Sequence, residues 1–313
     1  MFDKRLPVIN FATLHEAKTL RALDNACRTW GAFELVGHPV SQAQRSALSE
    51  AMHGFFGKTK KQKNHVARTE ANPWGYYDSE LTRETQDWKE IYDYGLADGP
   101  DKQPQWTDAP TGFEKTLSEH FALCEKMSFD LLGAIAENLG ATVTETCAFF
   151  RPNHTSFLRL NYYPPCPSPA FPMDDAPATE GFLGVNPHTD AGALTLLLQE
   201  QRSGLEIFHQ GGWLRISGGA LVVNIGDIIQ VWSNDRYTAP LHRAAANCQM
   251  ERFSAPFFFN PKYKTQYQPL PATIDSDHPP RYSAINWGEF RRQRAAGDYS
   301  RMGKEIQISQ FRI

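Results

Sequence analysis

The sequence lacks both a long apolar run and an excess of charge of one sign. Its 313 residues contain 32 Lys and Arg against 35 Asp and Glu, which gives a formal net charge of −3 and a pI near 6.4. No stretch approaches the ~20 consecutive apolar residues that a membrane span needs. No basic field exists that would attract a phosphate backbone. We therefore expect neither a membrane nor a nucleic acid as a partner.

Cysteine is also scarce, with five residues that are odd in number, widely scattered and free of any C-x-x-C spacing. This pattern does not indicate a secreted disulfide framework, and the first residues do not have the shape of a signal peptide. We expect reduced thiols in a cytoplasmic protein. The cysteines are Cys27, Cys124, Cys147, Cys166 and Cys248.

Helical and extended patterns alternate through the first half of the chain. Apolar residues at spacings of three and four predict helices over 14–30 and 112–139, the second about 42 Å long at 1.5 Å per residue. A further helix is predicted from the N-cap candidate Ser41 to about residue 56. Short strands are predicted at 32–36 and 88–94.

The pattern changes after residue 155, where short extended segments alternate with Gly and Asn turns. Many short strands with such turns are typical of a sandwich, barrel or jelly roll. A short charged helix is predicted near 287–294. The predicted strands are 155–163, 182–188, 194–199, 204–208, 212–215, 221–225, 227–232, 240–247 and 251–259.

A candidate metal site is formed by His188, Asp190 and His242. The first two are two positions apart, so on an extended backbone their side chains point the same way. His242 starts another predicted strand 52 positions further on. Two imidazoles and one carboxylate leave coordination positions open and suit non-haem Fe(II). The same trio could hold zinc, so the ligands alone do not fix the metal.

Two further polar sets follow the strand alternation. Arg252 and Ser254 share one strand face, where a guanidinium and a hydroxyl could grip a carboxylate. Arg159, Asn161 and Tyr163 share a face of an otherwise apolar strand, and such groups need polar partners. A bound polar ligand or solvent would supply those partners, and an exposed edge strand would explain Arg252 equally well.

Eight motifs in order make the resemblance specific. The sequence resembles the Fe(II)/2-oxoglutarate-dependent oxygenases of the isopenicillin N synthase-like family across roughly residues 5 to 262. Any one of these motifs is weak evidence, but eight in family order exclude coincidence. The matching segments are Leu6–Asn10, Ala26–His38, Asn161–Pro167, His188–Asp190, Gly226–Asp227, Trp232–Tyr237, Leu241–Arg243 and Arg252–Ser254.

The resemblance implies a fold of the α+β class. Its core would be a double-stranded β-helix, that is, a distorted jelly roll, with N-terminal helices and a long supporting helix. We expect an N-terminal mixed helical region over 1–150, the oxygenase core over 151–262, and a C-terminal extension over the active-site mouth at 263–313. These regions would form one compact catalytic unit.

The resemblance also implies the site roles. His188, Asp190 and His242 would bind Fe(II). Arg252 and Ser254, helped by Tyr163, would hold the far carboxylate of 2-oxoglutarate, and Asn161 would lie near its metal-binding end.

The implied activity is that of an oxidoreductase, a 2-oxoglutarate-dependent dioxygenase. With O2 it would oxidise a C–H bond of a small-molecule metabolite, by hydroxylation or desaturation, and release succinate and CO2. We expect a monomer or a weak homo-oligomer that acts on a small-molecule substrate.

Substrate contacts are predicted at four residues. Phe258 continues the inward alternation of its strand and is a candidate substrate wall, although plain core packing fits it equally well. Arg159 could contact a substrate carboxylate or phenolate. Tyr76 and Tyr92, with Trp74 and Tyr94, could form an aromatic lid, but we favour the alternative that these four pack in an interdomain core.

Two other functions remain open at this point. Isopenicillin N synthase itself and the ethylene-forming oxidase use the same iron trio without 2-oxoglutarate, and their Arg holds a substrate carboxylate. The Asn161 to Tyr163 segment favours the users of 2-oxoglutarate. A non-enzymatic, cupin-like module that binds a metal or a small acid is the second alternative, although a structural metal site would not need Arg252 and Ser254.

Overall fold

A computed structural model describes residues 5–82, 85–99, 101–107, 109–171, 178–299 and 306–313. Within these ranges no helix combines the length and the apolarity that crossing a membrane requires.

The described residues form seven α-helices, and the longest follows the predicted pattern closely. Ser41 caps the second helix as predicted, because its hydroxyl accepts a hydrogen bond from the backbone of Gln44 while the Gln44 side chain accepts one from Ser41. The helices are α1 (Ala17–Thr29), α2 (Gln42–Phe56), α3 (Lys60–Lys63), α4 (Phe113–Leu139), α5 (Val143–Ala148), α6 (Asp227–Trp232) and α7 (Trp287–Tyr299). Short 3-10 helices lie at Phe11–Thr13, Asn64–Val66, Pro271–Thr273 and Ile308–Phe311.

Sixteen strands are present in the same part of the chain. The first six are β1 (Val8–Asn10), β2 (Ala32–Val36), β3 (Gly75–Tyr77), β4 (Leu81–Thr82), β5 (Thr85–Gln86) and β6 (Glu90–Gly95). The next six are β7 (Phe157–Tyr163), β8 (Val185–His188), β9 (Leu194–Gln199), β10 (Leu205–His209), β11 (Gly212–Arg215) and β12 (Leu221–Ile225). The last four are β13 (His242–Ala244), β14 (Arg252–Phe259), β15 (Gln266–Tyr267) and β16 (Ile285–Asn286).

Two sheets carry the architecture. The major sheet has eight strands in the order β1-β2-β12-β9-β14-β7-β6-β3, and the minor sheet has four in the order β11-β10-β13-β8. Only the pair β1–β2 is parallel; the other pairs within the two sheets are antiparallel. Strands from the N-terminal region therefore extend the sheet to which β7, β9, β12 and β14 belong. The expected α+β class with a jelly-roll core is confirmed.

The long helix α4 supports the major sheet. Phe121 of α4 meets Phe257 of β14 edge to face at 5.0 Å, and Phe129 meets Phe259 in the same way at 4.9 Å. Such aromatic pairs add to the burial of apolar area. The helix therefore fixes the position of β14, which carries Arg252 and Ser254 at its other end.

One predicted strand is wrong. Residues 227–232 form the helix α6 instead of an extended segment. All but Gln230 of its residues are buried, and a short buried helix shows the same nearly unbroken apolar run as a buried strand. Periodicity over six residues cannot separate the two.

Candidate metal centre and the two cavities beside it

Strand pairing brings the three candidate ligands together. His188 ends β8, His242 begins β13, and the two residues lie directly opposite each other in the antiparallel pair. Asp190 follows β8, with Oδ1 at 3.6 Å from His188 Nε2 and 3.7 Å from His242 Nε2. One ligand atom from each of the three lies within 4.8 Å of the others. The pairing of β8 with β13 therefore closes the gap of 52 positions in the sequence.

Backbone carbonyls orient both imidazoles. His188 Nδ1 lies 2.8 Å from the carbonyl oxygen of Asn186, and His242 Nδ1 lies 3.1 Å from that of Pro240. A carbonyl oxygen can only accept, so each Nδ1 carries a proton, and Nε2 is the ring nitrogen that faces Asp190. This is the arrangement that metal-binding histidines use.

The carboxylate of Asp190 is held through one oxygen. Its Oδ2 accepts hydrogen bonds from Thr195 Oγ1 at 2.5 Å and Asn224 Nδ2 at 2.8 Å. Oδ1 is the oxygen that faces the two imidazoles. Sequence reasoning missed Thr195 and Asn224, whose only signal was that they are polar residues within apolar strands.

The charge states of these groups suit a divalent cation. Burial alone would raise the pKa of Asp190, but His242, His188 and Asn224 outweigh it and hold the pKa of this carboxyl well below its usual range. Burial and the neighbouring His188 lower the pKa of His242 to about 4. At neutral pH the site therefore offers a carboxylate and a neutral His242 as ligands.

The Gly226-Asp227 motif supports the loop that carries Asp190. The backbone N–H of Asp227 donates to the Asp190 carbonyl at 2.8 Å. A Cβ at position 226 would lie 2.2 Å from the Gly192 carbonyl oxygen and 2.8 Å from that of Asp190. Only glycine allows this close approach of the two backbones.

An inner cavity of about 80 Å³ extends from the metal centre between the two sheets. Arg252 lines this cavity; it is 3% exposed and packs its guanidinium 4.6 Å from the centre of the Tyr163 ring. Nη2 of Arg252 donates to Gln199 Oε1 at 2.9 Å, while Nε and Nη1 have no hydrogen-bond partner among the described residues. Buried guanidinium nitrogens without partners indicate that the cavity binds a polar ligand.

Ser254 and Asn161 lie opposite each other in the β14–β7 pair and line the same cavity. Asn161 Nδ2 donates to Ser254 Oγ at 3.3 Å, so the hydroxyl proton of Ser254 is left for another acceptor. Asn161 Oδ1 is buried and has no partner in the described part of the chain. The structure thus brings the four predicted co-substrate residues to one cavity, which also reaches His188, Asp190 and His242.

A second, outer cavity of about 230 Å³ is lined by His188 and Asp190, which also line the inner one. Phe258 lines both cavities and stacks on Phe157 with ring centroids 4.7 Å apart. Trp74 and Trp287 add further aromatic surface. Phe258 therefore borders both cavities, and its role as a substrate wall stays a prediction.

Arg159 also lines both cavities, but its charge is already paired. Its Nε and Nη2 donate to the two oxygens of Asp93 at 2.7 and 2.9 Å, and its Nη1 donates to Glu80 at 2.8 Å. Sequence reasoning missed both carboxylates, because they lie 66 and 79 positions away. The bidentate Asp93 pair makes Arg159 a fixed part of the cavity wall.

The structure does not bring Tyr76 and Tyr92 to either cavity, and it agrees with the alternative of core packing. Both are about 1% exposed, and neither is among the described residues that line the two cavities. The Tyr76 hydroxyl donates to Glu90 at 3.0 Å, and the Tyr92 hydroxyl donates to the carbonyl of Gln105 at 2.5 Å. Their rings pack around Phe55 in the core. Of the four aromatic residues considered, Trp74 alone lines the outer cavity.

Comparison with protein-family models gives two matches. Residues 154–261 match the family described as "2OG-Fe(II) oxygenase superfamily". Residues 6–112 match the family described as "non-haem dioxygenase in morphine synthesis N-terminal". The chain is 31% identical over 297 residues to oxoglutarate-dependent flavonoid 7-O-demethylase 1 of Ocimum basilicum, covering 91% of this chain and 77% of the relative. It is 33% identical over 325 residues to gibberellin 2-beta-dioxygenase 5 of Oryza sativa subsp. japonica, covering 98% and 87%.

Solved structures of similar proteins also match this chain over most of its length. JOX2, determined in complex with 2OG, Fe and JA, superposes with a TM-score of 0.79 at 28% identity over 92% of this chain and 84% of that one. A full-length Neurospora crassa protein, determined in complex with alpha-KG and thymine, superposes with a TM-score of 0.80 at 26% identity over 95% and 98%. The chain therefore belongs to the Fe(II)- and 2-oxoglutarate-dependent oxygenase superfamily.

Proposed function

We propose that this protein is a non-haem Fe(II)/2-oxoglutarate-dependent oxygenase that oxidises a C–H bond of a small-molecule metabolite, by hydroxylation or desaturation, and releases succinate and CO2. One observation carries the proposal. Three ligand atoms within 4.8 Å of one another line a cavity that is also lined by a buried guanidinium with two unpartnered nitrogens.

In this proposal His188, Asp190 and His242 bind the iron. Two imidazoles and one carboxylate form the facial set that suits Fe(II) and leaves positions open for exchangeable ligands. The carbonyls of Asn186 and Pro240 fix the direction of each imidazole. The hydrogen bonds from Thr195 and Asn224 occupy the other carboxylate oxygen, so Asp190 presents Oδ1 to the metal.

The same cavity fits the co-substrate. Arg252 and Ser254 would receive the far carboxylate of 2-oxoglutarate, and the Tyr163 ring holds the guanidinium from one side. Asn161 would lie near the metal-binding end. Iron and 2-oxoglutarate supply the oxidising chemistry together with O2, while the chain orients them and excludes water.

The outer cavity is the proposed substrate site. Phe258 and Phe157 offer an apolar wall to a small molecule, and Arg159 borders it. The relatives named above include a flavonoid demethylase and a gibberellin dioxygenase, which supports a plant-type small metabolite as the substrate class. Trp287, Arg291 and Arg294 of α7 line this cavity, which supports the assignment of 263–313 as an extension over its mouth.

A succinate-release assay under air tests the proposal. The Fe(II)-loaded protein, incubated with 2-oxoglutarate and a broad library of small metabolites, should release succinate above its background with at least one of them. Slow release with no added substrate would already exclude a cupin-like binding module. Failure to form succinate with any compound would favour the oxidases that work without 2-oxoglutarate, and would contradict the proposal.

The quaternary state and compartment stay predictions. A monomer or weak homo-oligomer in the cytoplasm is expected, and light scattering at several protein concentrations would test the first of these expectations.

A further inference from the structure

Arg252 differs from the other cationic residues that line the inner cavity because no carboxylate of the described residues pairs with it. Four cationic residues in the described part of the chain line this cavity, and three of them form ion pairs with buried carboxylates. The three pairs are Lys89 with Glu80 at 2.7 Å, Arg159 with Asp93 at 2.7 Å and Arg243 with Glu206 at 2.8 Å.

Arg252 has a neutral amide where the others have a carboxylate. Gln199, at the end of β9, accepts one hydrogen bond through Oε1 at 2.9 Å and is 2% exposed. The amide therefore fixes one guanidinium nitrogen without cancelling the positive charge. No carboxylate pairs with Arg252 among the described residues.

Two other contacts hold the guanidinium in place. The Tyr163 ring lies 4.6 Å from its central carbon. The backbone of Gly204 packs so closely that a Cβ there would lie 2.5 Å from Arg252 Nε. Ring, backbone and amide together leave the guanidinium one position, with its charge uncompensated.

A buried charge without a counter-charge is costly for the ligand-free protein, and a ligand carboxylate that pairs with it recovers that cost. A carboxylate at position 199 would pair with Arg252 before any ligand arrives. The driving force for binding an anionic co-substrate would then be lost.

We infer that Gln199 is a positioning residue whose neutral amide orients Arg252 and leaves its charge uncompensated for the carboxylate of 2-oxoglutarate. This inference rests on the proposed function, and it assigns a role to a residue outside the Arg252–Ser254 motif.

The isosteric variant Gln199→Glu tests it. With Fe(II) bound and O2 excluded, 2-oxoglutarate is titrated while the visible charge-transfer band is recorded. The Kd should rise on the order of 30-fold or more, as when a buried charge pair is disturbed. In turnover, KM for 2-oxoglutarate should rise far more than kcat falls. The Tm of the metal-free, ligand-free variant should rise by ~2–4 °C, because the buried charge is now paired.

Two variants serve as controls. Glu200→Gln changes the next residue, whose carboxylate contacts Ser49 and His53 and not Arg252, and its Kd for 2-oxoglutarate should match that of the wild type. Gln199→Met removes the hydrogen bond without adding charge, so its Kd should rise while its ligand-free Tm falls. If Gln199→Glu fails to fold, Gln199→Met carries the test through its Kd.

The possible outcomes distinguish a failure of this inference from a failure of the proposed function. Wild-type Kd values in both Gln199 variants would overturn this inference and leave the proposed function standing. A raised Kd together with a lowered ligand-free Tm in Gln199→Glu would also overturn it, because that combination indicates that the substitution damages the structure. A wild-type protein that neither shows the band nor releases succinate would overturn the proposed function, and this inference with it.

Discussion

Asp190 illustrates how the chemistry of one side chain depends on partners from neighbouring strands. The His188-x-Asp190 spacing predicts a shared direction for two ligands, and this much follows from strand geometry alone. The hydrogen bonds from Thr195 and Asn224 decide which carboxylate oxygen faces the imidazoles. They come from neighbouring strands, so the sequence carries no direct signal for them.

Replacing Asp190 by Ala is expected to abolish iron retention while the fold remains. Two imidazoles alone hold Fe(II) poorly, and the loss should exceed the roughly 10- to 100-fold that losing a supporting hydrogen bond costs. Iron content after desalting and a far-UV spectrum measure both effects. Stoichiometric Fe(II) in a folded Asp190→Ala protein would refute the ligand assignment.

His120 on α4 should make the stability depend on pH. It is 4% exposed, and burial together with Arg45 lowers its pKa to about 4. The unfolded chain binds this proton near pH 6.5 and the folded chain does not, so stability is complete above that value and falls as the pH drops towards 4. The loss should reach about 3 kcal/mol at the lower end.

Urea unfolding of the His120→Leu variant at pH 7 and pH 5 checks this expectation. The variant should lose less stability between the two pH values than the wild type does. Ser128→Ala, a change at a buried residue of the same helix that removes no titratable group, is the control and should keep the wild-type pH dependence. If the wild type and His120→Leu lost the same free energy of unfolding between pH 7 and pH 5, His120 would be excluded as the source of the pH dependence.

Residue patterns predict some of the side chains that line the cavities and miss others. Phe258 follows from the alternation that starts at Arg252, and it does line the cavity. Alternation cannot tell which face of β3 and β6 turns towards the cavities, so it leaves a substrate lid and a packed core both open for Tyr76 and Tyr92, which are buried. The bidentate pair of Arg159 with Asp93 depends on the pairing of β6 with β7, which no local pattern reveals.

Among the elements, long periodic segments were predicted well and short apolar ones were not. The pattern over 112–139 contains enough turns to define one face, and α4 begins at Phe113 and ends at Leu139. The six residues of α6 contain fewer than two turns, which is too short for a helical period to show, so their apolar run predicts a strand instead. Tertiary packing decides such cases.

Gly226→Ala is expected to damage the metal centre by displacing α6 from the loop that carries Asp190. The added Cβ would meet the carbonyl oxygens of Gly192 and Asp190 at 2.2 and 2.8 Å, and such overpacking costs roughly 1–3 kcal/mol. Iron affinity and Tm should both fall.

Gly133→Ala on α4 is the matched control for that experiment. Its Cβ would meet Val143 at 3.6 Å, an ordinary contact, and alanine favours the helix. Its iron affinity should equal that of the wild type. If Gly226→Ala bound iron equally well, the role given to the Gly226-Asp227 motif would be wrong.

Across the whole molecule, the candidate site is assembled from strands of both sheets. The candidate metal ligands belong to the minor sheet and the loop after β8, and the proposed co-substrate residues belong to β7 and β14 of the major sheet. The jelly-roll architecture is implied by the family resemblance, because strand periodicity alone is compatible with a sandwich, a barrel or a jelly roll. The division into 1–150, 151–262 and 263–313 stays a prediction.

The last residues of the chain are tied to the loop after α6. Arg312 donates to both oxygens of Asp235 at 2.8 and 3.0 Å and to the hydroxyl of Tyr282 at 2.8 Å. The backbone N–H of Ser283 donates to Phe311, and that of Ile313 donates to Arg281. These contacts anchor the segments on either side of α7, which borders the outer cavity.

Arg312→Ala should release this anchor. Hydrogen exchange at the amides of Ser283 and Ile313 is expected to accelerate, because the side-chain pair that holds the two segments together is lost. Arg292→Ala removes an equal charge from an exposed pair with Glu289 within α7 and should leave these amides unchanged. Unaltered exchange in Arg312→Ala would show that the pair with Asp235 does not hold the C-terminal segment.

Anaerobic titration of the Fe(II)-loaded protein with 2-oxoglutarate tests the central claim most directly. We expect a weak visible charge-transfer band that saturates at about one 2-oxoglutarate per iron, since one cavity joins the three ligands to Arg252. In Arg252→Met the same band should require a far higher concentration of 2-oxoglutarate. A wild-type protein that holds iron but gives no band, or an Arg252→Met variant with wild-type affinity, would contradict the account.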